Sequence, residues 1–400
     1  MNIFVINSGS SSIKYQLISM PEAKVICSGI VDRIGQQRAR VDYKAFLSSG
    51  EIKESREMPV PDHATGLKAV AQLLTDPEIG VISNPDQVEI VGHRVVHGGE
   101  KFSTTQLITE EVKEKIKELF PLAPLHNPAN FLGIEVAEQI FTQAKQVAVF
   151  DTAFHQTMPG VAYRMAIPHQ LYEEHGIRAY GFHGTSHKYV SEQAVAYLGK
   201  PNSKIITIHL GNGCSMTVIQ DGKCVDTSMG LGPMNGLIMG TRAGDIDQSV
   251  IFHLVKELGY SLEEVNILLN KKSGMLGLTG FSDMRDIRGL LDKGDSNAKL
   301  AYELYAYRIK KYIGSFAAVM NGLEAIVFTG GVGENDALTR SLVCKQMDFL
   351  GLELDQKVNE TRGSGIREIQ SANSKVKILI IPTNEELEIA RQSFEVVGMV

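Results

Sequence analysis

The chain has 400 residues, 43% hydrophobic and 22% charged, with 40 basic against 46 acidic side chains and a formal net charge of -6. That length exceeds one ordinary core and predicts two large domains or a duplicated one; the composition excludes a disordered or fibrous protein, and the acidic balance argues against general nucleic-acid binding. No apolar run approaches the ~18–20 residues that span a bilayer, and no basic amphipathic stretch suits a membrane surface. Apolar residues 3–6 give way at once to Asn7 and Ser8, unlike a signal peptide, so a cytoplasmic protein is expected. The four cysteines (Cys27, Cys214, Cys224, Cys344) are scattered and form no C-x-x-C pair, which predicts reduced thiols.

In chain order, the pattern predicts strands at 3–6 and 13–18, separated by the small polar turn "NSGSSS" with Lys14 just beyond it. A strand at 25–31 follows. Helices are expected at 110–120 and 128–140, the second with Asn127 as N-cap and Pro128 at its first position. The segment around His93 and His97 reads as a strand, which makes their i, i+4 spacing a poor metal pair. A strand at 147–151 and a helix at 186–198 come next, then strands at 204–210 and 215–220. Helices at 247–258 (stopped by Gly259), 295–320, 336–349 and 385–396 surround further strands at 325–329 and 377–381. Val- and Ile-rich strands alternating with amphipathic helices predict an α/β fold.

The chain also echoes itself. "FVINSGSSSIKYQLI" (4–18) and "ITIHLGNGCSMTVIQ" (206–220) are both apolar strand, small-residue turn, alternating strand. Gly9 aligns with Gly211, Asn7 with His209 and Ser10 with Asn212, which suggests two similar domains.

Three stretches suit phosphate or nucleotide. The Gly/Ser turn after Asn7 offers backbone N–H groups and hydroxyls, with Lys14 adding charge; taken alone, such Ser-rich hairpins are more often plain turns. In "HLGNG" (209–213), Gly211 and Gly213 flank Asn212 in a tight turn. In "FTGGVGEN" (328–335), a buried strand ends in glycines that let a ring or ribose approach the backbone. Neither G-x-G-x-x-G nor G-x-x-x-x-G-K-[ST] occurs, which disfavours a Rossmann dehydrogenase and a P-loop kinase. Polar residues also stand at element ends: Arg94 in "VGHRVVHGG", Asp151 in "VAVFDTAFH", His183 in "YGFHGTSH", Arg242 in "MGTRAGDID", and Glu385 with Glu386 in "IPTNEEL". Singly, each has an ordinary structural explanation, such as a buried ion pair, a turn residue or an acid in a helix's first turn. Together they supply anion-binding loops, two arginines, a histidine and metal-capable oxygens, the requirements of phosphoryl transfer. "DMRDIR" (283–288) is ordinarily a solvated charged stretch that leaves room for a nucleotide contact.

These segments, with "RVVHGG", "FDTAFH", "GFHGTSH" and "PTNEE" in the same order, make the chain resemble the acetokinase family from residue 2 to beyond Glu386. The resemblance implies an α/β fold of two duplicated ribonuclease-H-like (actin-like ATPase) domains around a central cleft. The first domain would span 1–151 plus 386–400, and the second, nucleotide-binding, 152–385. It implies reversible, direct in-line transfer of the ATP γ-phosphoryl group to acetate, giving acetyl phosphate and ADP. It further implies ATP/ADP and Mg²⁺ (Mn²⁺ as a substitute), no nucleic-acid or membrane partner, and a homodimer. By the same resemblance, Asn7 and Glu385 hold the metal. Lys14, His209, Leu210, Gly211, Asn212, Gly213, Asp283, Met284, Arg285, Gly331, Val332, Gly333, Glu334 and Asn335 contact nucleotide. Arg94 binds the carboxylate, and Val96, Leu125, Phe182 and Pro233 surround the substrate methyl. Asp151 is the family's acid/base position, and His183 and Arg242 stabilise the transition state. Acetate is already ionised at neutral pH and needs no base, so Asp151 is expected to organise metal or arginine instead. The competing expectations are a propionate or butyrate kinase on the same scaffold, a non-enzymatic ATP-driven clamp, and a sugar kinase. Cys214, inside the second loop, makes inhibition by thiol reagents a further expectation.

Overall fold

The computed structural model describes residues 1–9, 11–36, 38–47 and 50–399; Ser10 of the opening loop lies outside the described residues. The chain divides into two compact units, Met1–Phe154 with Asn384–Val400, and His155–Thr383. Glu385 therefore falls in the first unit, whereas the sequence reading had it at the end of the second.

The first unit is built on β1 (Asn2–Ser8), β2 (Ser12–Ser19), β3 (Lys24–Asp32), β4 (Ala39–Leu47), β5 (Gly50–Met58), β6 (Ile90–Val95), β7 (Gln106–Leu107) and β8 (Lys145–Phe150), ordered β5-β4-β3-β2-β1-β6-β8-β7. Successive side chains of β1 go to opposite faces, and both faces are covered, so it reads as an unbroken apolar run. Phe4 and Ile6 join Ile13, Tyr15 and Leu17 against Leu67 and Val70 of helix His63–Leu74 and Val136 and Ala137 of helix Asn127–Ile140. Ile3 and Val5 pack on the other face with Ile389, Ala390 and Val397 of the C-terminal helix Glu385–Gly398. The sequence reading missed β4 and β5. β5 is an edge strand whose Glu, Lys and Arg side chains blunt pairing with other chains and hide its apolar signal.

The second unit carries β9 (Lys204–Leu210), β10 (Cys214–Gln220), β11 (Lys223–Thr227), β12 (Ala325–Thr329), β13 (Arg367–Glu368) and β14 (Lys377–Ile380), ordered β11-β10-β9-β12-β14-β13. The run β3-β2-β1-β6-β8 has two antiparallel pairings followed by two parallel ones. The run β11-β10-β9-β12-β14 repeats that sequence of pairings. The weak echo between two hairpins is thus the visible part of a repeated five-strand sheet.

Two local expectations are corrected. His126, not Asn127, is the N-cap of helix Asn127–Ile140. The Asn127 side chain is taken up elsewhere, accepting from the His97 N–H and donating to the His97 carbonyl, both at 3.0 Å. The expected turn at Gly331–Asn335 is a short helix, Gly330–Asn335, and the helix expected to run to 349 stops at Cys344. Among the described residues no helix is long and apolar enough to cross a membrane.

Candidate active site

Adjacent strand ends in the first unit collect one polar cluster. Arg94 lies near the end of β6, and Asp151 directly follows β8, its N–H bonded to the Val95 carbonyl at 3.0 Å. The Arg94 guanidinium donates to Asp151 Oδ2 through both Nε, at 3.0 Å, and Nη2, and to Asn7 Oδ1 through Nη1 at 3.3 Å. Asn7 sits opposite Lys14 in the β1–β2 register. Glu385 opens the C-terminal helix beside this cluster. Burial pushes its carboxyl up to about 7; Asp151 and Glu386 add to the shift while Arg94 and Lys14 oppose it. Burial works against the charge on Arg94, but Asp151 and Glu385 outweigh it and hold the guanidinium above its usual value.

Two buried asparagines brace the exit of β6: Asn127, expected only as an N-cap, and Asn130, which the sequence reading did not single out. Asn130 Oδ1 accepts from the Val96 N–H at 3.0 Å and its Nδ2 donates to the Ser8 carbonyl at 2.7 Å, alongside the Asn127–His97 pair. Their signal was two amides one turn apart at the start of the helix, where an unpaired buried polar group is costly. Ser8 Oγ is buried against Gly133, so this hydroxyl of the opening turn packs on a helix. Val96 is buried, while Leu125 is 61% exposed.

In the second unit the β9–β10 turn closes with a 3.0 Å bond from Gly211 N–H to the Gly213 carbonyl. Gly240 donates to the Asn212 carbonyl at 2.9 Å, tying this turn to the segment that carries Arg242. A cavity of about 1350 Å³ opens there. Of the expected nucleotide residues, Gly211, Asn212, Asp283, Met284, Arg285, Gly331, Val332, Glu334 and Asn335 line it. His209 and Leu210 form the buried end of β9 behind the turn. Asp283 is the N-cap of helix Met284–Leu291, and the Arg285 guanidinium and N–H hold its carboxyl down to about 2. Glu334 accepts from the Gly330 and Thr383 N–H groups at 3.0 and 3.3 Å, and Asn335 donates to the Gly331 carbonyl at 2.9 Å. The sequence reading missed Arg340, which also lines the cavity. It donates to Asn359 Oδ1 at 2.7 Å and to the Gly333 carbonyl at 2.9 Å, and burial lowers its pKa to about 10.

Among the described residues, the hydrogen-bond partners of Arg242 are neutral: the Pro233 carbonyl at 3.1 Å and the Met239 sulfur at 4.0 Å. Burial pulls its guanidinium below its usual value. His183 stacks on His209 with ring centroids 4.5 Å apart, and Phe182 is buried beside it. Cys214 is buried, bonded to the Gly211 carbonyl and the Tyr305 hydroxyl, and its thiol is pushed up to about 11 by burial. A buried, hydrogen-bonded thiol raised by burial argues against the expected inhibition by thiol reagents.

Residues 2–391 match the acetokinase family. The chain belongs to that family. A curated acetate kinase of Flavobacterium johnsoniae is 60% identical over 99% of each chain. The crystal structure of Porphyromonas gingivalis acetate kinase matches with a TM-score of 0.93 and 44% identity over 99% of each chain. A propionate kinase from Francisella tularensis matches with a TM-score of 0.91 and 43% identity, again over 99% of each. The two repeated α/β sheets are thus the acetokinase fold, and membership of this family makes the chain a kinase.

Proposed function

We infer that this chain phosphorylates acetate with ATP, reversibly, giving acetyl phosphate and ADP. The 60% identity to an acetate kinase supports the substrate. The observation that carries the chemistry is Arg242, a partly buried cation with only neutral partners. Such a group gains most when an anion with developing charge arrives beside it. Arg242 and His183 stabilise the equatorial oxygens of the phosphoryl group in flight. Arg94 holds the acetate carboxylate, and Asp151 accepts from Arg94 and aims it. The acceptor oxygen needs no base, so the chain's contribution is alignment and charge stabilisation. For the substrate methyl group we assign Val96 and Leu125 in the first unit and, separately, Phe182 and Pro233 in the second. Lys14 and the residues of the β9–β10 turn, Asp283–Arg285 and Gly331–Asn335 bind nucleotide, Glu334 and Asn335 by holding the short helix in shape.

Asn7 and Glu385 suit Mg²⁺, or Mn²⁺ in its place. Their oxygens are hard donors, and a half-buried carboxyl raised to about 7 is relieved by a cation. Among the described residues no group of three or more His, Cys, Asp or Glu side chains is arranged for a metal. That sparse donor set fits an ion held largely by nucleotide phosphates and water. When bound, the ion neutralises charge on those phosphates.

The first unit corresponds to a discontinuous N-terminal domain and the second to the nucleotide-binding domain. Four free, buried cysteines fit a reducing cytoplasm. Phe252, Leu258 and Leu262 are exposed on and between helices Ser249–Lys256 and Leu262–Lys271, and we assign this apolar surface to a homodimer.

The test traps acyl phosphate as hydroxamate from ATP with acetate, propionate or butyrate. ATP hydrolysis without hydroxamate would overturn the reading in favour of a clamp. Propionate is the second reading, supported by the likeness to a propionate kinase. One methylene in an apolar pocket is worth only about 1–3 kcal/mol, so kcat/KM for the three acids decides between them.

A further inference from the structure

Four imidazoles gather in the second unit. His183 stacks on His209, and His187, one turn further along helix Gly184–Leu198, stands edge-on to His155 and His209 at 5.9 and 6.2 Å. A hydrogen-bonded chain runs through two of them. Ser215 Oγ on β10 lies 2.8 Å from His183 Nδ1 and 2.7 Å from His187 Nε2. His187 Nδ1 lies 2.7 Å from Thr207 Oγ1 on β9, and that hydroxyl lies 3.4 Å from the Thr217 carbonyl. Thr207, His187 and Ser215 are fully buried.

The far end gives the chain its direction. A carbonyl only accepts, so the 3.4 Å contact to Thr217 is made only with the Thr207 hydroxyl proton pointing there; with the proton so placed, the Thr207 oxygen accepts from His187 Nδ1–H. Burial first, then neighbouring His155 and His209, hold His187 well below its usual pKa, so its ring is neutral. A neutral ring protonated at Nδ1 has its lone pair at Nε2, which accepts the single Ser215 proton. The Ser215 oxygen then accepts from His183 Nδ1–H.

We propose that Ser215 and His187 are positioning residues that keep the proton of His183 on Nδ1. Nε2 is then the nitrogen that gains or loses the second proton. His183 donates from Nε2 only as the imidazolium, and its neutral ring presents a lone pair there. Among the described residues of this unit, the charged and titratable groups around the ring include His187 on the same helix, His209 from β9, and Arg242. Both Arg242 Nη1 and the His183 ring border Gly213, at 3.9 and 3.3 Å from the position of a Cβ there. The consequence for turnover rests on the proposed role of His183; the proton's location does not.

The test is ring-nitrogen NMR on the full-length protein labelled with ¹⁵N-histidine, with His183→Ala assigning the signals. Above the titration of His183, wild type is expected to show a protonated Nδ1 and a lone pair at Nε2. Ser215→Ala is expected to move the proton to Nε2, the site favoured by free histidine in water, and to extend the alkaline limb of kcat upward. A neutral wild-type ring protonated at Nε2 overturns the proposal without any variant, as does an unchanged tautomer in folded Ser215→Ala. Near-normal kcat in His183→Ala would instead remove the role of His183 in the reaction and leave the tautomer result standing.

Discussion

At the scale of single residues, charge without a matching partner marks the chemistry. Arg242 bonds only a carbonyl and a thioether, so Arg242→Ala should lower kcat by about 10²–10³, as loss of one transition-state donor does elsewhere, with ATP affinity changing much less. Steady-state kinetics in the hydroxamate assay reads this directly. Glu385 carries the complementary imbalance, a half-buried carboxyl raised to about 7 by desolvation. Protons and Mg²⁺ compete for it, and the protonated form fills as pH falls through about 7. The Mg²⁺ concentration giving half-maximal rate should therefore rise between pH 8 and pH 6, and Glu385→Gln should flatten that dependence. An unchanged requirement across this range would remove Glu385 from the metal site.

At the scale of elements, the reacting side chains depend on backbone that leaves little room for change. Gly274 has φ of +61°, and a Cβ there would lie 2.2 Å from the Met239 carbonyl and 2.6 Å from that of Arg242. Gly274→Ala adds left-handed strain of about 1–3 kcal/mol and pushes on the segment bearing Arg242. We expect a lower melting temperature and a kcat reduced at least about tenfold, with nucleotide binding by calorimetry largely kept. On β6, buried His93 hydrogen-bonds Gln146 Oε1 at 2.8 Å, and burial lowers its pKa from 6.5 to about 4. The folded state binds fewer protons than the unfolded state in that window, so this contribution is lost as pH falls from about 6.5 towards 4. His93→Gln should flatten the fall in melting temperature between pH 7 and pH 5.

At the scale of the whole molecule, the first unit is completed by the far end of the chain. Ile389 and Val397 of helix Glu385–Gly398 are buried against Ile3, Val5 and Val149. Two such side chains contribute about 3–6 kcal/mol, a large part of a typical net stability of about 5–15 kcal/mol. A chain truncated after Thr383 should leave the first unit poorly folded. Hydrogen exchange should show lost protection in β1 and β6 but retained protection in β9 and β12; intact protection throughout would sink this account.

The sequence alone determined the strands that hold the site, because β1, β9 and β12 are buried on both faces and must be apolar along their length. It also determined the identities at two strand ends, since Arg94 and Asp151 stand out where an apolar run stops, and it marked Arg242 by its place between glycines. The repeat was legible only in its hairpins, where glycines and alternation coincide; the other three strands of each sheet share pairing but no pattern that survives in one sequence. What only the tertiary structure decided are relationships between distant segments: Asn127 and Asn130 bracing β6, Arg340 locking the short helix at the cavity, and Ser215 joining two histidines. A periodic burial pattern is a property of one element and is written locally, whereas a hydrogen bond across the fold needs two elements already in register.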